Sequence, residues 1–152
     1  MSNPPVSFEA TLHVRDHCLC LHAQRAARAL GRRFDEALRP LHLTNGQFSL
    51  LMALNRPEPP ALGAVASLLA MDRTTLTAAL KPLERRGLIA VRANPADRRG
   101  RLLALTREGQ SLLAAALPVW RETHADLDRA LAAIDSGAFR TALRALGDAP
   151  AP

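Results

Sequence analysis

A chain of 152 residues, 48% apolar and 22% charged, has the composition of a single globular domain able to bury a core without disulfides. With no Tyr and only 3% aromatic residues it lacks the stacking platforms that single-stranded nucleic acid requires. Its net charge of +6 rests almost wholly on guanidinium groups, since Lys81 is the one lysine among 20 basic residues. That balance is compatible with a phosphate-bearing partner, and equally with a genome rich in Arg and Ala codons.

No stretch has the apolar length of a signal peptide or a membrane span, and Cys18 and Cys20 are too few and too close for a secreted disulfide scaffold. A cytoplasmic protein with no membrane association is expected.

In chain order, Pro4 and Pro5 mark a loose arm. One long helix is then predicted from Leu12 to Leu38, on the spacing of Val14, Cys18, Leu21, Ala26, Ala29, Leu30, Phe34 and Leu38, with Pro40 closing it. Thr44 and Gln47 have capping-box spacing at the head of the next helix, which the prolines of "NRPEPP" end. Two short helices follow in "ALGAVASLLAMDRTTLTAALKPLERRGL". "LIAVRANPADRRGRLLALT" then reads as strand, turn, strand, with Asn94, Pro95, Asp97 and Gly100 as turn formers. Thr106 is placed to cap a last long helix reaching about Leu131, its stripe running through Leu112, Leu113, Ala116, Leu117, Trp120, His124, Leu127 and Leu131 and bent at Pro118. A short helix from Ser136 to Leu146 ends at Gly147, and "DAPAP" reads as tail.

The two short helices have the pattern of a helix-turn-helix. Ala66 is the small residue at the crossing. Val65, Leu69, Met71, Leu76 and Ala79 face inward, and Ala70 stands in the turn where Gly is commoner. Asp72 is a suitable N-cap for the second helix, and Leu76, Leu80 and Leu83 are its buried stripe. Arg73, Thr74, Thr75, Ala78, Lys81 and Arg85 are left outward, with Thr77 at the border and a bend expected at Pro82. Short, hydroxylated and basic side chains of this kind suit base edges and flanking phosphates. The adjoining hairpin carries Arg98, Arg99 and Arg101 at its tip, where a wing would reach the minor groove. Asp97 is expected to pair with Arg99 and stiffen the turn, leaving Arg98 for the groove and Arg101 for the backbone.

The stretch "MDRTTLTAALKPLERRGLIAVRANPADRRGRLLALTREG" resembles the MarR family of bacterial regulators. The match lies in its Leu-Glu-Arg-Arg-Gly-Leu turn, Asp-Arg-Arg wing and Leu-Thr-x-x-Gly helix start, with a weaker likeness from residue 12 to 146. The resemblance implies a mainly α, winged helix-turn-helix fold: a single domain over 1–152, with dimerisation helices at 12–40 and 107–146 around a DNA-binding lobe at 44–106. It also implies a homodimer on a palindromic duplex operator, acting as a repressor and releasing the DNA on a signal. No cofactor and no bound metal are expected.

Three signals are open. The commonest in the family is a small aromatic or phenolic acid, for which His17, His22 and Arg25 would hold a carboxylate and Trp120 would wall the ring. The run "HVRDHCLCLHAQRAAR" also resembles the organic hydroperoxide repressors, with Cys18 as the reactive thiol and His22 in place of the Tyr hydroxyls this chain lacks. Zinc is third, from the i, i+4 pairs His13/His17 and Cys18/His22. An enzyme is not expected, because the chain has no nucleophile elbow, phosphate loop or paired carboxylates. A dimerising scaffold without DNA is the remaining class.

Overall fold

The computed structural model describes residues 5–148, so Pro4 of the expected arm and residues 149–152 of the expected tail lie outside the described residues. Where periodicity predicts one long first helix there are two: α1 over Phe8–His17 and α2 over Leu19–Leu38, parted at Cys18, whose ψ of 105° is extended. The Cys18 N–H closes α1 on the Val14 carbonyl (2.9 Å), and its Sγ accepts the Leu21 N–H that opens α2 (3.4 Å). The Asp16 carbonyl, orphaned at the end of α1, faces His22 Nε2 at 3.2 Å.

Pro40 lies in a 3₁₀ turn, Arg39–Leu41, that ends α2 as expected. The capping box then forms in full: Gln47 N–H donates to Thr44 Oγ1 and Thr44 N–H to Gln47 Oε1, both at 3.1 Å, starting α3 over Asn45–Leu54. This helix is the centre of the fold, burying Phe48, Leu50, Leu51, Ala53 and Leu54. α4 (Leu62–Leu68) and α5 (Arg73–Arg85) follow, then β1 (Ile89–Asn94), β2 (Asp97–Leu105), α6 (Arg107–Ala130) and α7 (Ser136–Asp148). Both α5 and α6 run continuously through their internal prolines, Pro82 and Pro118. Gly147 does not stop α7, which continues one residue past it.

The core gathers Leu38, Leu51, Val65, Leu76, Leu83 and Leu103, all fully buried, from α2, α3, α4, α5 and β2. Each such leucine contributes about 2 kcal/mol by burial. By contrast α1 and α7 bury no described residue, and α2 buries only Phe34 and Leu38 at its C-terminal end.

Two helix ends share one device. At the end of α5, Leu88 N–H bonds the Leu83 carbonyl (3.0 Å) and Gly87 N–H the Glu84 carbonyl (2.9 Å), with Gly87 left-handed at φ +70°. The end of α4 repeats this with Met71 to Ala66 (2.9 Å) and Ala70 to Ser67 (3.2 Å), but the left-handed residue, φ +50°, is alanine. A Cβ in that region costs about 1 kcal/mol. Ala70→Gly is therefore expected to stabilise the protein by roughly 0.5–1 kcal/mol, read as a rise in thermal midpoint. A fall would mean that the turn does not hold this geometry.

Candidate nucleic-acid interface and effector cavity

α4 and α5 form the helix-turn-helix, and Asp72 starts its second helix. The Thr75 hydroxyl (2.5 Å) and N–H (2.8 Å) both donate to the Asp72 carboxylate, holding it below the usual carboxylate range and hence ionised at neutral pH. Leu76, Leu80 and Leu83 turn inward. Arg73, Thr74, Thr75, Thr77, Ala78, Lys81 and Arg85 are exposed, so Thr77 belongs to the outer face rather than its border. The Arg73 guanidinium folds back across α4: a Cβ on Gly63 would stand 2.8 Å from its Nη2, so the bare glycine makes its room.

β1 and β2 pair antiparallel from Ile89–Leu105 to Ala93–Arg101, and then the register jumps to Asn94–Asp97. Arg98, Arg99 and Gly100 consequently have no partner on β1 and swell out of the tip. The expected Asp97–Arg99 ion pair does not form. Asp97 Oδ1 instead accepts the Arg99 backbone N–H (3.0 Å), and Asn94 Oδ1 accepts that of Ala96 (3.0 Å). Asp97 thus stiffens the turn through the main chain, which leaves the Arg99 guanidinium unengaged beside those of Arg98 and Arg101. Gly100 is confined, since a Cβ there would lie 3.0 Å from Asp97 Oδ2.

The wing is rooted on two sides. Thr106 caps α6 by accepting the Gly109 N–H (3.0 Å), while its hydroxyl donates to the Gly87 carbonyl (2.6 Å) and its N–H to that of Leu88 (3.1 Å). Beside α4, the segment before the helix adds a bridge that sequence reading missed: Ala61 pairs with Leu102, and Leu103 N–H donates to the Pro60 carbonyl (2.9 Å). Arg92, exposed on β1, is a further wing cation that the alternation of Leu88, Ala90 and Arg92 could have flagged.

Between residues 72 and 101 stand eight cations against three carboxylates, Asp72, Glu84 and Asp97. Among the described residues no ion pair involves any of them; the pairs lie on α1, α2, the 3₁₀ turn and α6, such as Arg33 with Asp126 (3.6 Å). Arg86 is held to the His42 carbonyl (2.7 Å) and Arg101 lightly to that of Gly100 (3.2 Å); the other cations of the helix and hairpin have no carboxylate to leave before meeting phosphates.

The expected effector residues do not come together. Trp120 stacks on Phe48 (ring centroids 6.4 Å apart) and meets His124 (4.3 Å), which in turn meets Phe34 (5.3 Å). Arg25 and His22 stand roughly 13 and 18 Å further along α2 from Phe34, and His17 lies beyond the break. All three are exposed; His17 Nδ1 contacts the His13 carbonyl (2.8 Å). His22 Nε2 is directed to the Asp16 carbonyl, and the Cys18 thiol is engaged by the Leu21 N–H. His13 and His17 stack ring on ring, and no three His, Cys, Asp or Glu side chains converge for a metal among the described residues.

Trp120 instead walls a cavity of about 360 Å³ with Phe48, Ser49, Met52, Ala53, Leu68, Leu69 and Leu117. It joins α3, the first helix of the helix-turn-helix and α6. No helix among the described residues is long and apolar enough to cross a membrane.

The fold and its cationic lobe are those of a winged helix-turn-helix DNA-binding transcriptional regulator. Residues 43–100 match the model of the MarR family. The regulator MosR of M. tuberculosis, solved in complex with DNA, is 37% identical, with a TM-score of 0.77 over 86% of this chain and 94% of that one. BpsR of Bordetella bronchiseptica, solved to explain regulation of its DNA binding by 6-hydroxynicotinic acid, is 27% identical, with a TM-score of 0.70 over 83% of this chain and 96% of that one. The transcriptional regulator HosA of Escherichia coli O111:H- is 38% identical over 79 residues, 51% of this chain and 57% of HosA's own length. The chain belongs to the MarR family, and these relatives are regulators rather than enzymes.

Proposed function

We propose that this protein is a homodimeric repressor of a palindromic operator that lets go of DNA when a small aromatic or phenolic acid enters the cavity beside Trp120. The cavity carries the reading. Its walls come from the support helix α4, through Leu68 and Leu69, and from α6, through Leu117 and Trp120, so an occupant would wedge the DNA-binding lobe against the long terminal helix. The volume lies in the range of small-molecule sites, and the lining is apolar except for Ser49. A ring would slot in beside Trp120 with its carboxylate toward solvent, needing none of His17, His22 or Arg25. The regulation of BpsR by an aromatic acid supports the same class of signal.

A second copy is needed for the apolar stripe of α7, whose Phe139, Leu143 and Leu146 are 43–55% exposed, and for Phe8 of α1, 75% exposed. Two-fold pairing would set two α5 helices on half-sites about 10 base pairs apart. On each, Arg73, Thr74, Thr75, Thr77, Lys81 and Arg85 would work in the major groove, Arg98 in the minor groove and Arg101 on the backbone.

Trp120 is the only tryptophan, so its fluorescence reports the cavity alone. Hydroxybenzoates should quench it and release a fluorescent operator over one concentration range, and Leu68→Trp, which fills the cavity, should abolish the release. Quenching without release, or neither at millimolar ligand, would refute the coupling.

One observation favours oxidation of Cys18 as a second reading. Its partly buried thiol caps α2, so conversion by a hydroperoxide to a sulfenic acid, with the alcohol released, would disturb the joint between α1 and α2. Peroxide should then lower operator affinity in the native protein and leave Cys18→Ser unaffected; equal loss in both would dismiss the thiol.

A further inference from the structure

Arg73, Thr74, Thr77, Ala78 and Lys81 line one shallow depression on the outer face of α5. Thr74, Thr77, Ala78 and Lys81 recur three, four and seven apart, with Arg73 one turn before Thr77, so they form a strip on one face of the helix. The hydroxyls along this helix are not equally available. That of Thr75 is spent on Asp72 (2.5 Å), and that of Thr77 donates to the Arg73 carbonyl (2.7 Å). With its hydroxyl turned to the main chain, Thr77 offers the depression its Cγ2 methyl, next to the bare Cβ of Ala78. A patch of two methyl groups therefore sits between a cation at each end. The strip contains no Asn or Gln to bond adenine in a bidentate manner, and no Asp or Glu to accept from the cytosine amino group.

We infer that Thr77 and Ala78 read the 5-methyl group of one thymine in each operator half-site, making Thr77 a specificity determinant through its methyl and not through its hydroxyl. The inference rests on the reading of α5 as the helix that enters the major groove. There a thymine methyl is the base-edge group that gains most from two apolar neighbours, while the hydroxyl of Thr74, in the same depression, is left for an adjoining base edge or phosphate. Lys81, one turn beyond, then falls near the next acceptor, a guanine edge or a phosphate.

The test removes the methyl from either side of the contact. The full-length protein selects its preferred duplex from a random pool, and each thymine of that duplex is replaced in turn by deoxyuridine, which deletes the 5-methyl and keeps the pairing. One thymine per half-site should lose about fourfold in affinity on replacement, the worth of one buried methyl. Thr77→Ser, which keeps the hydroxyl and its bond to Arg73, should cut the preference for thymine over deoxyuridine to the part that Ala78 supplies, about twofold or less. Thr77→Val, which keeps a methyl, should still prefer thymine.

Tight binding to the selected duplex with no deoxyuridine effect at any position would overturn the inference and leave the DNA reading standing. So would a preference undiminished in Thr77→Ser. Failure to enrich any sequence would remove the DNA reading itself, and this inference with it.

Discussion

Replacing Gly109 by alanine is expected to destabilise the protein by roughly 3 kcal/mol, a fall of about 10 °C in thermal midpoint for a chain of this size. The reason is a collision with main chain. A Cβ at this position would overlap the Leu88 carbonyl oxygen, stand 3.0 Å from the Leu88 carbonyl carbon and 3.3 Å from Leu105 Cδ2. Leu88 is itself held by its N–H to Leu83 (3.0 Å) and by its carbonyl to Thr106 N–H (3.1 Å), so it cannot step aside without loosening both ends of the hairpin. Circular dichroism melting checks the stability, and operator binding of the folded variant at low temperature should also weaken, because the root of the wing moves. An unchanged midpoint would mean that the first turn of α6 does not rest on Leu88.

The second large effect is electrostatic. Arg98→Glu with Arg101→Glu should weaken operator binding on the order of 100-fold at physiological salt. Truncating the same pair to alanine should flatten the dependence of log affinity on log salt by about one unit for each phosphate no longer neutralised. Thermal stability should stay within about 0.5 kcal/mol of the native value, since both side chains are exposed and neither is ion-paired. Anisotropy with a labelled operator across a salt series measures both quantities. Undiminished affinity after charge reversal would take the wing out of the interface. A smaller loss on substituting Arg99 would agree with the division of labour in which Asp97 organises the turn through the Arg99 N–H.

What could be read from the residues alone was local. The Thr44–Gln47 capping box, the Asp72 cap, the Thr106 cap, the Ala70 turn and the inward stripe of Leu76, Leu80 and Leu83 depend on atoms three or four positions apart. Side-chain chemistry decides such contacts before any distant segment arrives. The same holds for the cationic face of α5 and the tip of the hairpin, where residue type already implies exposure.

The rest lay beyond what apolar periodicity encodes. Periodicity carried the first helix straight through Cys18 because its apolar spacing continues there. The break places one residue in an extended conformation and satisfies the freed groups with Cys18 Sγ and His22, which no helical repeat encodes. Trp120 was assigned to the histidines of the N-terminal helix on chemistry alone. Its contact with His124, one turn along the same helix, is local, but the ring it meets across the fold depends on where α6 crosses α3, and that crossing gave it Phe48. Gly109 stood in view within Leu-Thr-x-x-Gly, yet its reason is a carbonyl 21 residues earlier. Caps, turns and the charge of the α5 and hairpin surface were legible in the residues, because those are set by neighbours along the chain. The cavity and the rooting of the wing were settled by packing, because they are set by whichever distant groups it brings alongside; the parting of α1 from α2 is local, but no apolar repeat encodes it.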